Sequence, residues 1–389
     1  MSAKKVSMAI MLFSLAYVGC KNTHSDNNKH REQNNVIRNT WYKHYMGTIG
    51  GKQVVADLQC YGKYIQGSYY FIDKGIIINL LPPGHGTADT SYIAFIENDP
   101  GVPDDDSSGS GSWQLNIQDS IAKGKWTSGN GKTITDIDLK EDYPQGTYPL
   151  AVLVKGDSVK ERKGVVYVTA ASFYDLLQPS DKMNRDEAGF LQAAILHFLG
   201  GEVPDVKNIH DYMEQENKSY FDNFKKLLAD MQIDRQTHED WEYNFDHTRQ
   251  LQALYNNNGM LVLQLGASDK TGGGMMGSHF RNKYICIDPG QKTVWQVKDI
   301  MDMDETKLSP LLGEAACNIF RLPKGKLTDR LRVDTIPLTD NIYITGMGVT
   351  FCYYPGVIAP EEDGEISLFL PYTKLNKWLK GDFKKRMSL

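Results

Sequence analysis

The feature that most constrains the fold is a run of alternating apolar and polar residues between Trp41 and Asp142. Turns rich in glycine interrupt it, among them Gly50-Gly51, Asp73-Lys74-Gly75 and Gly129-Asn130-Gly131. A period of two is typical of half-buried strands, and such turns are typical of β-hairpins. The pattern therefore predicts an antiparallel β meander that closes into a barrel or packs as a sandwich. Its eight candidate strands are residues 42–49, 53–61, 64–72, 76–81, 92–97, 112–117, 121–127 and 133–139.

Helical spacing appears only in the second half of the chain. Asn184 is a candidate N-cap with Glu187 three residues later, and apolar residues then recur at helical spacing up to Gly200-Gly201. The same spacing predicts helices over Ile209–Met231 and Asp304–Phe320. Runs of helix followed by runs of strand predict an α+β fold with the helices on one face of an antiparallel sheet. The strands of this region are predicted at 241–256, 259–265, 282–288, 293–296, 349–354 and 365–370.

The first residues resemble an export signal. The apolar run Met8–Val18 has the length of a signal-peptide core and is too short to span a bilayer. Gly19-Cys20 then resembles the lipobox of bacterial lipoproteins, although Tyr17 stands where that motif prefers an aliphatic residue. The resemblance implies a signal peptide at 1–19 and a lipid on Cys20 that anchors the chain in the bacterial cell envelope, facing the periplasm or the cell exterior. The alternative is an ordinary secretory signal with a coincidental cysteine.

The rest of the chain divides by composition into a tether and two domains. Residues 20–37 are polar and have almost nothing to bury, which predicts a lipidated flexible tether. An all-β domain is predicted at 38–155 and an α+β domain at 160–389. The net charge of −5 argues against nucleic acid as a partner, because phosphate binding requires a basic face.

Four cysteines remain after Cys20, and none of them forms a C-x-x-C motif. We therefore predict buried free thiols, although an exported chain permits disulfides and a bridge between two of the last three stays open. The four are Cys60, Cys286, Cys317 and Cys352.

Sequence motifs for catalysis are weak. Gly272–Gly277 fits G-x-G-x-x-G, but a strand follows it instead of the helix that a dinucleotide site needs. No nucleophile elbow and no H-E-x-x-H motif occurs. His210 with Glu214, or the cluster from His238 to His247, has metal-ligand residue types, yet no third ligand is specified and surface residues are the simpler interpretation. We therefore predict no catalytic residues, no metal and no cofactor.

A series of short phrases in the second half resembles a bacterial extracytoplasmic domain family of poorly defined function. That family forms the sensor region of lysozyme-binding anti-sigma factors and also occurs beside polysaccharide deacetylases. The family usually has Ala-His where Gly274-Met275 stand here, and the nearest histidine is His279. The matching phrases are Thr271-Gly272-Gly273, Ile287-Asp288, Asp299-Ile300, Phe351-Cys352-Tyr353-Tyr354-Pro355, Ile358-Ala359-Pro360, Gly364-Glu365-Ile366 and Leu370-Pro371-Tyr372.

The N-terminal half carries a second resemblance. Its phrases Tyr45–Gly51, Gly67-Ser68-Tyr69-Tyr70 and Gly124-Lys125-Trp126 resemble an all-β module found at the front of many lipoproteins of the Bacteroides group. That module implies no particular activity. Tyr69, Tyr70 and Trp126 either line a ligand surface or, as we expect, fill the barrel.

Two loops are the predicted binding elements. Residues 271–279 and 355–364 carry glycine and proline and flank predicted strands, and loops on a rigid sheet commonly bind ligands. The alternative, which we weigh equally, is that the two loops only connect their flanking strands. The candidate ligand-binding residues are Thr271, Gly272, Gly273, His279, Tyr354, Pro355, Ile358, Pro360 and Glu365.

Together these features predict a non-enzymatic, lipid-anchored envelope protein that binds an extracellular or cell-wall ligand. A glycan, a peptidoglycan fragment and a lysozyme-like protein are the candidate ligands. One alternative is an envelope polysaccharide hydrolase or deacetylase, and a second is a scaffold subunit of an envelope complex.

Overall fold

A computed structural model of the chain describes residues 40–62, 64–83, 92–98, 110–164, 166–200, 206–232, 242–270, 278–302 and 304–389. The predicted signal peptide, the tether with Cys20 and residues 271–277 of the first candidate loop lie outside these ranges. Within them, no helix is long and apolar enough to cross a membrane.

The N-terminal half forms a closed antiparallel barrel in which the strands follow one another in chain order and β8 pairs with β1. This confirms the predicted meander. The two-residue turn Gly50-Gly51 suits glycine, because both residues have positive φ angles of 57° and 80°. The strands are β1 Thr40–Ile49, β2 Lys52–Tyr61, β3 Tyr64–Phe71, β4 Ile78–Leu81, β5 Ile93–Asn98, β6 Ser112–Gln118, β7 Ile121–Thr127 and β8 Ile134–Glu141.

Large side chains fill the barrel. Glu97 is buried among them and accepts hydrogen bonds from Tyr69 OH at 2.6 Å, Trp113 Nε1 at 2.8 Å, Trp126 Nε1 at 2.7 Å and the Gly111 amide at 2.7 Å. Four donors compensate the carboxylate for its lost hydration. Tyr69 and Trp126 are thus barrel-filling residues, as expected. The neighbouring Tyr70 instead belongs to the core that the C-terminal region shares, because successive side chains of a strand point to opposite faces.

A six-stranded sheet follows, in the order β14-β13-β12-β11-β10-β9. All its pairs are antiparallel except β10 and β11, which run parallel because two helices occupy the connection between them. The sheet already begins within the range predicted for the all-β domain, since β9 starts at residue 150. Its elements are β9 Leu150–Lys163, β10 Val166–Pro179, α1 Arg185–Gly200, α2 Ile209–Asp230, β11 Glu242–Asn257, β12 Met260–Lys270, β13 Ser278–Asp288 and β14 Thr293–Trp295.

Both faces of this sheet are covered. Leu261 and Leu263 share a core with α1 and α2, whereas Met260 and Val262 share another core with the C-terminal region. A strand buried on both faces is continuously apolar rather than alternating, which explains the run Met260–Leu263. The helices α1 and α2 therefore cover one face, and the C-terminal region covers the other.

The C-terminal region adds a three-stranded antiparallel sheet, β15-β16-β17, whose last strand packs against α4. The helix predicted at Asp304–Phe320 is confirmed as α4, with these two residues as its caps. The chain ends in two short helices, with Trp378 between them. The elements are α3 Val297–Ile300, α4 Glu305–Ile319, β15 Ile342–Ile344, β16 Gly348–Tyr353, β17 Ile366–Pro371, α5 Tyr372–Leu375 and α6 Gly381–Met387.

Side-chain caps set the starts of the two long helices. Asn184 Oδ1 accepts the amide of Asp186 at 2.9 Å and that of Glu187 at 3.4 Å, so the predicted N-cap of α1 is confirmed. Asn208 caps α2 in the same manner, accepting the Asp211 amide at 2.8 Å.

The cysteines of the described ranges are buried thiols outside any disulfide, as predicted. They are Cys60, Cys286, Cys317 and Cys352.

A buried polar interface joins the barrel to the sheet. Gln59 Nε2 on β2 and Gln66 Nε2 on β3 donate to Asp175 Oδ2 on β10, at 2.9 and 3.3 Å. Ser68 donates to the carbonyl oxygen of Ala253 on β11 at 3.1 Å. Burial raises the pKa of Asp175 to about 7. The interface thus holds an acidic group that faces two neutral amide side chains.

Candidate functional site

The structure describes part of the predicted binding surface. Thr271, Gly272 and Gly273 lie outside the described residues. His279 belongs to β13, where its backbone pairs with Asp269. The other five candidates, Tyr354, Pro355, Ile358, Pro360 and Glu365, lie on or beside the connection between β16 and β17.

This connection, residues 354–365, is anchored at two points to the segment that carries Arg330 and Arg332. Ile358 is fully buried in the core, and its carbonyl oxygen accepts the Arg332 amide at 2.9 Å. Asp363 forms an ion pair with Arg330. Ile358 therefore packs into the core and holds the loop, whereas Tyr354, Pro355 and Pro360 are only partly buried.

Glu365 is the most perturbed group of the connection. It follows Gly364, whose φ of 72° turns the chain into β17, and its Oε1 accepts a hydrogen bond from Tyr284 OH. Its Oε2 is shielded from solvent and has no hydrogen-bond partner among the described residues. Burial raises the pKa of Glu365 to about 7, and the hydrogen bond from Tyr284 offsets only part of that effect.

Strand β13 supplies the other wall of the site. Tyr284 on this strand bonds Glu365, and the side chain of Asn282 helps to lower the pKa of Glu365. Burial raises the pKa of Tyr354, Glu365 raises it further and Arg281 lowers it. Tyr354 and Glu365 thus share an electrostatic environment with Arg281, whose side chain is exposed.

The site therefore joins the two predicted loops through their neighbouring strands. Strand β13, which follows residues 271–277, carries Arg281, Asn282 and Tyr284, and the connection between β16 and β17 begins with Tyr354 and ends with Glu365. We call these five residues the Glu365 site. Sequence reasoning missed the three from β13, because alternation places Asn282 and Tyr284 on one face without showing that this face meets β17.

The Glu365 site offers both hydrogen-bond donors and acceptors. A carboxyl group with a pKa near 7 is present at neutral pH in both forms, so it can donate or accept a hydrogen bond. The guanidinium of Arg281 and the phenol of Tyr354 add donors and an apolar ring at its rim. Cys352 lies nearby, with Sγ at 3.5 Å from Ser367 Oγ, and burial raises its thiol pKa well above the ordinary value, which keeps it unreactive.

Asp288 does not join Glu365 as a catalytic pair. Its Oδ2 accepts Arg386 Nε at 2.5 Å, and its Oδ1 accepts the Gln291 amide at 2.8 Å. Asp288 lies six positions after Asn282 on β13, which corresponds to roughly 20 Å along a strand. The two carboxyl groups therefore belong to different environments.

A second polar cluster lies beneath α2. His247 Nδ1 is 2.7 Å from Asp269 Oδ1, and His247 Nε2 is 3.4 Å from Glu216 Oε1. Burial lowers the pKa of His247, but these two carboxylates outweigh burial and raise it. Arg249 also pairs with Asp269 at 3.0 Å, so the cluster is an internally matched ion-pair network. Across the described ranges, no group of three or more His, Cys, Asp or Glu residues is arranged to hold a metal ion.

Comparison with known proteins identifies one region. Residues 298–373 match a family model described as a protein of unknown function, DUF3298, and this confirms the predicted C-terminal domain of uncharacterised function. Tyr354 and Glu365 lie inside the matched range, whereas the contributing residues of β13 precede it. No curated protein matches the chain.

Two solved structures of DUF3298 proteins are similar to the chain. One, from Bacteroides fragilis, has 16% sequence identity and a TM-score of 0.46, and the match covers 61% of this chain and 98% of that one. The other, from Pseudomonas aeruginosa, has 16% identity and a TM-score of 0.41, and the match covers 61% of this chain and 96% of that one.

Proposed function

We propose that this chain, whose residues 298–373 match DUF3298, is a lipid-anchored envelope protein that binds an extracellular or cell-wall ligand at the Glu365 site. The lipid anchor is the one implied by Gly19-Cys20. The observation that carries the proposal is Glu365 itself. A shielded carboxyl oxygen without a partner among the described residues is costly unless some group satisfies it.

A hydroxyl-rich ligand suits this site best. A sugar hydroxyl that reaches Glu365 Oε2 would supply the hydrogen bond that this oxygen lacks. The ring of Tyr354 offers an apolar surface for the C–H face of a sugar, and Arg281 offers donors to ring substituents or carboxylates. Glycans and peptidoglycan fragments carry these groups.

A lysozyme-like protein is the other candidate ligand. The loop beside the site carries Glu361 and Glu362, both exposed, so a basic protein would meet negative charge at the rim. In that case, rim charges set the association rate and Glu365 contributes little. Glycan binding therefore depends on Glu365, whereas binding of a lysozyme-like protein depends on the exposed carboxylates of the rim.

The decisive experiment measures binding to the soluble chain that begins after Cys20. Peptidoglycan fragments and a lysozyme are titrated separately by calorimetry against the wild type, Glu365→Gln and Glu362→Gln. A glycan site predicts roughly tenfold to hundredfold weaker fragment binding for Glu365→Gln and unchanged binding for Glu362→Gln, since one hydrogen bond to a charged group contributes about 1.5–3 kcal/mol. A lysozyme surface predicts that Glu362→Gln weakens binding and that added salt weakens it further.

Absence of binding to both probes would refute the proposal. Equal weakening of fragment binding by the two variants would instead indicate unspecific charge attraction and remove Glu365 from the site.

A hydrolase is the second candidate, and the raised pKa of Glu365 favours it. A carboxyl group with a pKa of about 7 has the proton affinity of a general acid at neutral pH. A glycosidase also needs a second carboxyl group, and Asp363 is nearest along the chain, although Arg330 pairs with it. Release of reducing ends from peptidoglycan by the wild type and its loss in Glu365→Gln would support this function, whereas an inactive wild type would dismiss it.

A further inference from the structure

A row of polar residues crosses the six-stranded sheet and begins at the Glu365 site. Asn282 on β13 pairs with Gly266 on β12, and Gly266 also pairs with Gln250 on β11. Gln250 in turn pairs with Asp175 on β10. Since neighbouring strands lie about 4.8 Å apart, the row measures roughly 14 Å from Asn282 to Asp175. One face of the sheet therefore links the Glu365 site to the barrel interface.

Two further amide side chains widen this row. Gln252 on β11 pairs with Gln264 on β12, and each lies two positions from the row, so both point to the same side of the sheet. The adjacent Leu251 and Leu263 point to the other side, into the core beneath α1 and α2. We call four side chains of this face the amide strip, namely Gln250, Gln252, Gln264 and Asn282.

The barrel and the C-terminal region stand on either side of the strip. At one end, Gln59 and Gln66 of the barrel donate to Asp175. At the other end, Tyr284 donates to Glu365 on the β16–β17 connection. The three glutamines of the strip are partly exposed, so solvent reaches the sheet between these two walls. The amide strip therefore forms the floor of a groove.

Polar atoms along this groove lack hydrogen-bond partners among the described residues. They are Asp175 Oδ1, Gln252 Nε2, Asn282 Oδ1 and Glu365 Oε2, and all four are shielded from solvent. Asp175 is fully buried, and Asn282 is 9% exposed. Shielded polar groups in folded proteins are nearly always paired, because an unpaired one costs free energy. Their concentration on one face of the sheet points to a ligand that carries both donors and acceptors.

The chemistry of the strip suits a neutral ligand. Its amide side chains are uncharged, and each offers N–H donors and a carbonyl acceptor. Gln252 is partly exposed although its Nε2 is shielded, so a turn of its terminal amide, whose torsion is broad, brings the donor into the groove. An acetamido group has one N–H donor and one carbonyl acceptor, and it therefore pairs with such side chains in both directions.

Aromatic rings are present at both ends of the groove. Phe173, two positions before Asp175 on β10, lies 5.4 Å from the ring of Tyr61 on the barrel. Tyr354 lies at the Glu365 end and is only partly buried. Such rings offer apolar surface to the C–H faces of sugars. Amides along the floor and rings at the ends together match a chain of sugar rings.

We propose that the amide strip binds a linear glycan whose sugars carry acetamido groups, and that the chain runs from the Glu365 site across β13, β12 and β11. This rests on the proposed function, because it extends the Glu365 site into a longer groove and selects a glycan over a lysozyme-like protein. A single sugar ring is shorter than the row, so only a chain of several rings occupies the whole strip.

The test compares three sugars by calorimetry on the soluble chain: di-N-acetylchitobiose, tetra-N-acetylchitotetraose and cellotetraose. Chitotetraose is expected to bind at least roughly tenfold more tightly than chitobiose, because its additional rings reach further polar groups. Cellotetraose has the same linkage but carries hydroxyl groups in place of the acetamido groups. It is expected to bind at least roughly tenfold more weakly than chitotetraose.

Gln252→Met is the sharpest variant, because it keeps the length of the side chain and removes the unpaired donor. It is expected to weaken chitotetraose binding roughly two- to tenfold, the loss of one neutral hydrogen bond. Its midpoint of urea denaturation should not fall, since Nε2 has no partner to lose in the described structure. Gln114→Met on the exposed side of β6 is the matched control and should bind like the wild type. Should Gln252→Met fail to fold, Gln264→Met carries the test.

Three results would overturn this proposal while leaving the proposed function in place. They are peptidoglycan fragments that bind while chitotetraose does not, equal affinities for chitotetraose and either of the other sugars, and unchanged chitotetraose binding by a folded Gln252→Met. Absence of binding by every glycan, including the peptidoglycan fragments, would instead refute both this proposal and the glycan form of the proposed function.

Discussion

Asp175 makes the stability of this protein depend on pH in a predictable direction. The carboxyl group is fully buried between the barrel and the sheet, and burial raises its pKa from an ordinary 3.8 to about 7. A folded-state pKa above the unfolded value means that the folded state binds the proton more tightly. Stability from this group is therefore greatest below pH 3.8 and declines as the pH rises towards 7.

The magnitude follows from the two pKa values. Each tenfold change in proton affinity corresponds to about 1.4 kcal/mol, so the full difference between 3.8 and about 7 amounts to about 4 kcal/mol. Between about pH 5 and about pH 8, the free energy of unfolding of the wild type is expected to fall by about 2.5 kcal/mol because of Asp175. The amides of Gln59 and Gln66 both donate to Oδ2, so the amide oxygen introduced by Asp175→Asn can accept from them without the charge.

Urea denaturation of the wild type and Asp175→Asn at about pH 5 and about pH 8 measures this effect. The free energy of unfolding of the wild type, relative to Asp175→Asn, should fall by about 2.5 kcal/mol from the lower to the higher pH. Asp181→Asn is the control, because Asp181 is exposed and its variant should keep the wild-type dependence. Parallel pH profiles for the wild type and Asp175→Asn would refute the assignment.

Three further predictions concern stability and are measured by urea or thermal denaturation. Glu97→Gln should destabilise the barrel by about 2–4 kcal/mol, because an amide nitrogen replaces an acceptor for the Trp and Tyr donors; an unchanged midpoint would contradict this. Ile358→Ala should cost about 2–4 kcal/mol through a core cavity, while the neighbouring, half-exposed Val357→Ala should change stability by less than about 0.5 kcal/mol. The folded state raises the pKa of His247, so the protonated imidazole stabilises the wild type below the ordinary histidine pKa, and this stabilisation is lost as the pH rises through the raised folded-state pKa. His247→Gln should remove it, so the stabilities of the two proteins should differ most in mild acid.

Local chemistry made much of the fold predictable. The N-cap Asn184 was recognisable because an amide side chain before an apolar helical pattern satisfies free backbone donors. The limits of α4 and the barrel hairpins were recognisable for similar reasons, since caps, tight turns and alternation all act within a few residues.

Long-range pairing was not predictable in the same way. The parallel contact between β10 and β11 joins Tyr167 to Glu242 across two helices, and no local pattern encodes that choice of partner. The Glu365 site has the same character, because Tyr284 and Glu365 are 81 residues apart in sequence. Sequence reasoning selected Glu365 from a resemblance, while its perturbed pKa depends on neighbours that only the folded chain brings to it.

The interface between the barrel and the sheet also has a consequence for how the chain is made. All eight barrel strands have been synthesised once the chain reaches residue 141. Ser68 and Gln59, however, donate hydrogen bonds to the carbonyl oxygens of Ala253 and Leu251 on β11, which are synthesised later. During synthesis, more than a hundred residues must follow residue 141 before these polar groups find their partners on β11. We therefore expect a fragment ending near residue 142 to form its hairpins but to exchange the amide hydrogens of β2 and β3 far faster than the full chain does.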